Sequence, residues 1–145
     1  GERKIGVLVD TMGRVNYGEN MLDRKGISDI YLGIQRLMGY DVWTLPLDNL
    51  DKLKYSSSVK KEEPVFLKGS FKTDSKADCF VHLDGFNRGC VYINGFNLGR
   101  FWKVGPQKSL YIPGTLLKDE NEIIVFNIGG YSKPTVSITD KHNLG

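Results

Sequence analysis

Arg14, Asn16 and Tyr17 bring a guanidinium, an amide and a phenol together in one short stretch bracketed by Gly13 and Gly18. That is more hydrogen-bonding capacity than a plain turn requires. Two uses fit it equally: contact with a partner surface, or an internal clamp. Arg100 could seat a carboxylate, although a surface or packing salt bridge is its default role. Trp102 and Trp43 could present aromatic platforms to a ligand, but an indole contributes roughly 1.5–3 kcal/mol when buried, so core or interdomain packing is the default for both.

Groups for covalent or acid–base chemistry are not assembled in the same way. His82 and His142 lie far apart with no evident catalytic partner, and the 17 acidic residues fall mostly in turns and polar runs. No two of them are marked as a paired acid and nucleophile. Cys79 and Cys90 stand in neighbouring apolar segments; a bridge needs a strand register that sets them opposite each other, and two buried free thiols are the expected state. No Cys/His spacing suggests zinc, and no loop has the ligand spacing of an EF-hand. No cofactor is therefore expected, and a structural calcium ion, although compatible with similar folds, is not indicated.

The elements that must hold these residues are short. Apolar runs bounded by glycine, asparagine or proline recur at residues 4–9, 30–32, 41–45, 65–67, 79–83, 90–93, 109–112 and 122–126. About eight strands at this spacing, with little helix, predict an all-β antiparallel sandwich. Alternation is clearest where Val91 and Ile93 share one face and Cys90 and Tyr92 the other. Asn94-Gly95 follows at once, and two residues that tolerate positive φ predict a tight two-residue hairpin. Val91, Ile93, Ile124 and Phe126 are expected between the sheets. The best helical candidates are Ile30 to Met38, whose spacing is ambiguous, and a turn at Gly114 to Lys118 after Pro113.

A chain of 145 residues, 40% hydrophobic and 26% charged with a net charge of +3, has the composition of an ordinary globular domain. The basic residues are scattered, which argues against a nucleic-acid surface, and no apolar run approaches the ~20 residues of a membrane span. No signal peptide is evident, and the compartment is left open. Leu50 to Pro64 is the one plausible internal boundary, a loop or linker at residues 51–64.

The segment Asn94-Gly95-Phe96-Asn97-Leu98-Gly99-Arg100-Phe101-Trp102, followed by Gly105-Pro106-Gln107 and Leu110-Tyr111-Ile112-Pro113, resembles a signature in the last β-domain of the family 35 β-galactosidases. A second block, Met12-Gly13-Arg14-Val15-Asn16-Tyr17-Gly18 with Lys25-Gly26-Ile27 and Trp43, resembles the same enzymes in the same order. Three positions depart from the family: Phe101 replaces a frequent tyrosine, Asn127 a usual glutamate, and Lys118-Asp119-Glu120-Asn121 lacks a common glycine.

The resemblance implies a jelly-roll-like, galactose-binding-domain-like sandwich over residues 1–145, with residues 1–50 supplying borrowed strands or the end of a preceding β-domain. It also implies that the catalytic glutamates, roughly 5 Å apart, belong to a barrel of about 250 residues that this chain does not contain. On that basis the chain is expected to have no hydrolase activity alone. Its expected partner is the catalytic barrel of a parent β-galactosidase, which it braces while helping to wall the substrate cleft. The alternative is an autonomous module that binds galactose-containing carbohydrate. Arg14, Asn16, Tyr17, Arg100 and Trp102 are the candidate interdomain or sugar contacts.

Overall fold

The computed structural model describes residues 3–11, 13, 15–58 and 62–145. The chain divides into two compact units, residues 1–46 and 47–145. All nine strands among the described residues pair antiparallel, and the only helical turns are three short 3-10 segments.

In the first unit, β1 (Tyr31–Leu32) and β2 (Gln35–Arg36) form a minimal hairpin across Gly33-Ile34. Gly33 takes φ +61°, and Leu37 extends the pairing by donating its N–H to Ile30 O at 2.9 Å. The helical candidate at Ile30 to Met38 is thus a hairpin: its apolar spacing suits either element, and a glycine with positive φ at its centre favours the reversal. Residues 4–9 and 41–45, expected as strands, join no ladder among the described residues. A strand needs a partner, and alternation alone supplies none.

The second unit is a sandwich. Its four-stranded sheet has the order β3 (Val65–Lys72), β8 (Glu120–Ile128), β5 (Arg88–Ile93), β6 (Phe96–Trp102). Facing it are β7 (Ser109–Ile112), β4 (Cys79–Asp84) and β9 (Thr135–Thr139). Among these seven strands only β5 and β6 pair as sequence neighbours; β3 reaches across the chain to β8, and β4 to β7 and β9. Val91, Ile93, Phe101, Ile123 and Val125 from one sheet meet Val81, Leu110, Ile112 and Ile138 from the other. Burial at ~25 cal/mol per Å² of apolar surface makes this the main source of stability.

Ile124 and Phe126 are buried, but not between the sheets. Because β8 alternates, Ile123 and Val125 claim the inner face, and Phe126 stacks on Phe66 of β3 on the outer face, ring centroids 4.3 Å apart. A β8 with both faces apolar gives no sequence clue to which set faces inward. Cys79 packs in β4 against the core, whereas Cys90 sits in β5 on the outer face with Tyr92, so the two cysteines belong to different sheets and form no disulfide with each other.

Candidate functional site

The Asn94-Gly95 turn is built as its residue types require. Ile93 pairs with Phe96 across two residues, with φ +50° at Asn94 and +83° at Gly95. Asn94 does more than turn the chain. Its side-chain amide donates to Leu116 O at 2.7 Å and Asn121 Oδ1 at 2.9 Å, while its Oδ1 accepts the Glu122 N–H at 3.0 Å. Asn121 Oδ1 accepts the Lys118 N–H at 2.8 Å, and its amide returns a 2.6 Å bond to Lys118 O. Two asparagines therefore fasten the β5–β6 hairpin, the 3-10 turn Gly114–Leu116 and the start of β8 to one another.

Asn127, where the family usually has glutamate, is fully buried and has its own role. Its Oδ1 accepts the Asn87 N–H at 2.8 Å and its amide donates to Gly129 O at 2.7 Å. An amide serves there because one oxygen and one NH₂ match one donor and one acceptor.

Arg100 and Trp102 project from the outer face of β6, the free edge of the four-stranded sheet, where their register partners are Cys90 and Arg88. As residues i and i+2 they stand about 7 Å apart along the strand. A bulge between Val91 and Tyr92 leaves Leu98 without a ladder partner, with Gly99 at φ +118°. Asn97 supports it by accepting the Gly99 N–H at 2.9 Å. Trp102 is 39% exposed and Arg100 is exposed.

Asn16 and Tyr17 lie side by side in a bend of the first unit that leads into the 3-10 turn Glu19–Leu22. Tyr17 is 89% exposed. Arg14 lies outside the described residues. A Cβ at Gly13 or Gly18 would meet nothing within 4 Å, so these glycines serve the positive φ of the loop and not a close approach.

Two grooves mark the sandwich that no motif announced. One, of about 670 Å³, runs between residues 53–58 and β3, lined by Leu53, Tyr55, Ser56, Glu63, Phe66 and Lys68. The Lys68 ammonium sits 5.5 Å from the centre of the Tyr55 ring and pairs with Glu122. Burial pushes the Tyr55 phenol up, against the lowering effect of Lys68. With a cation over its ring, Tyr55 is poorly placed to stack on a sugar on that face. The other, of about 510 Å³, is apolar and opens between the edge strands β3 and β9, over Phe71, Phe86, Ile123, Val136 and Ile138. Among the described residues no three His, Cys, Asp or Glu side chains gather as a metal site.

At the head of β4, Asp78 accepts hydrogen bonds from the Tyr111 hydroxyl and from the Gly114 N–H, the latter at 2.8 Å. These hold its carboxyl below the ordinary value of 3.8, the Tyr111 bond being the larger cause. Asp119 is lowered in the same sense by Lys76, 2.6 Å away. A carboxyl depressed on folding contributes stability that is complete above its unfolded value and disappears as pH falls through the folded one. The melting temperature should therefore drop below about pH 4, and Tyr111→Phe should flatten that acid limb when melting is followed against pH. Identical limbs for both proteins would exclude the Asp78 contribution.

Residues 64–122 match the domain described as "Beta-galactosidase, galactose-binding domain", and residues 1–48 match "Beta-galactosidase, first all-beta domain". Among similar proteins, the human Beta-galactosidase-1-like protein 2 is 40% identical over 96% of this chain, and Beta-galactosidase 17 of Arabidopsis thaliana is 35% identical over 84%. The bovine Beta-galactosidase is 32% identical over 93%. The chain spans about 23% of the length of the first of these, 21% of the second and 26% of the third. With an antiparallel sandwich where the galactose-binding match falls, the chain belongs to the C-terminal β-domains of the β-galactosidases resembling family 35.

Proposed function

We propose that these accessory β-domains brace the catalytic barrel of a β-galactosidase and help wall its substrate cleft, without hydrolysing sugar themselves. The observation that carries the reading is the match to two β-domains by a chain that spans about 23% of a relative's length. The ion-paired acids support it. Glu120, Glu122 and Asp119 are each engaged by a lysine at the surface, not set as an acid and nucleophile about a shared pocket. A sandwich without that pair lacks groups to stabilise an oxocarbenium-like transition state. The isolated chain should show no turnover of a chromogenic galactoside; turnover abolished by one substitution in this chain would refute the reading.

Asn16, Tyr17 and the neighbouring Arg14 are the proposed contact with the barrel, and Arg100 and Trp102 a second candidate contact. Because the Tyr17 ring is almost wholly exposed, Tyr17→Ala should leave the melting temperature of the isolated chain unchanged. In the complete galactosidase it should lower kcat/KM about 5- to 30-fold or loosen domain association, the effect of removing an aromatic anchor worth 1–2 kcal/mol. Unchanged kinetics and association would return this loop to a local role.

The second reading, autonomous binding of galactosides, is favoured by the description of the matched domain. Titrating galactose and lactose into the isolated chain separates the two: saturable heat belongs to the binding module, none to the brace.

A further inference from the structure

Asn94-Gly95 is the one Asn-Gly pair in the sequence, and Gly95 is exposed at the tip of its hairpin. A glycine that follows an asparagine presents a backbone nitrogen with no side chain in the way, and that nitrogen can attack the asparagine's own carboxamide. The reaction consumes only water. Base takes the Gly95 N–H proton, a bond forms from Gly95 N to Asn94 Cγ, the Cγ–Nδ2 bond breaks, and ammonia leaves, closing a succinimide ring. Water then opens the ring at either carbonyl, giving aspartate, or isoaspartate with the main chain rerouted through Cγ. Nothing is oxidised or reduced.

The fold holds this reaction back. Asn94 Nδ2 is tied to Leu116 O and Asn121 Oδ1, its Oδ1 to the Glu122 N–H, and its backbone N–H to Glu122 O at 3.0 Å. Both ends of the carboxamide are thus anchored to the 3-10 turn Gly114–Leu116 and to β8, whereas ring closure must draw Cγ to bonding distance of Gly95 N. The product has no way back into the network. Aspartate offers acceptors only, and it would face Leu116 O and Asn121 Oδ1, which are acceptors too. Asn121 cannot turn its amide over to help, because Lys118 engages both ends of it. Isoaspartate adds one backbone atom to a two-residue turn and disturbs the Ile93–Phe96 register. We propose that Asn94 is a site of spontaneous deamidation, reached only when the β5–β6 turn opens, and that each conversion is irreversible because the altered side chain cannot close the network again.

Peptide mass spectrometry on the 145-residue chain, held at mildly alkaline pH either native or in urea, tests this. Residue 94 should change from amide to acid about 100-fold more slowly in the native chain, the factor expected when opening breaks three hydrogen bonds of ordinary strength. Asn97, which precedes Leu98, is the internal control and should react far more slowly than Asn94 in urea. Gly95→Ala should slow the reaction in urea severalfold, which identifies the Gly95 nitrogen as the nucleophile. Asn94→Asp, the ordinary product made by mutation, should melt several degrees below the parent or fail to fold. An equal or faster rate in the native chain, or no conversion of Asn94 in urea, would overturn the proposal. An Asn94→Asp chain that melts with the parent would overturn its irreversibility.

Discussion

Gly89→Ala is expected to remove a large part of the stability of the sandwich. Gly89 is buried in β5, paired with Phe101 of β6 on one side and Asn127 of β8 on the other. A Cβ there would lie 1.7 Å from the carbonyl oxygen of Phe126 and 2.8 Å from its carbon. Both atoms are backbone, so no rotamer change relieves the overlap, and the two central strands of the sheet must separate. The cost should exceed about 4 kcal/mol, a large part of the 5–15 kcal/mol that holds a domain of this size. Gly95→Ala is the control: its Cβ meets nothing within 4 Å, and φ +83° alone should cost about 1–2 kcal/mol. Far-ultraviolet circular dichroism with urea titration distinguishes them, and a Gly89→Ala protein that melts within a few degrees of the parent would contradict the β5–β8 register.

Asn121→Ala should be nearly as damaging for a different reason. Asn121 is 1% exposed and spends its whole amide within the protein, accepting from Lys118 and Asn94 and donating to Lys118. Alanine leaves several of these groups buried without partners, at about 1–3 kcal/mol each, so a total loss of roughly 3 kcal/mol is expected. The urea midpoint should fall with the slope of unfolding unchanged. Since Asn94 shares the network, the Asn94→Ala, Asn121→Ala double variant should lose less than the sum of the single losses. Strict additivity would mean that the two amides act independently.

The turn and the inner face of β5 were legible because short-range rules determine them: Asn-Gly fixes the reversal, and alternation puts Val91 and Ile93 together. β8 was half legible. Its run of apolar residues announced a strand, but Ile123 and Ile124 are equally apolar, and only the facing sheet decides which is core. The tight turn implied a return arm, but neither the strand Phe96–Trp102 nor its bulge, which depends on pairing between Val91 and Gly99, stood out as an apolar run. Thr135–Thr139 alternates cleanly yet was passed over, its threonines and serine giving it little apolar weight. As for the candidate contacts, sequence found polar and aromatic residues in glycine-bounded loops. It could not find the Lys68–Tyr55 groove, whose walls lie 13 positions apart in a loop and a strand with no motif in either.

The strand order also sets a timetable for synthesis. β8 lies between β3 and β5, and the register joins Val65 to Asn127 and Lys72 to Glu120. As the polypeptide emerges from a ribosome, β3 must therefore wait for roughly fifty to sixty further residues before its partner exists, and in the interim only the β5–β6 hairpin and the β4–β7 pair have all their parts. The facing sheet waits longer still, because β9 completes it last. Long-range closure of this kind makes folding slow compared with helical domains, and it leaves Phe66, Leu67 and Phe71 of β3 open to solvent while translation proceeds. A nascent chain stalled before Glu120 should accordingly be a strong binding target for chaperones, and one released beyond Thr139 a weak one.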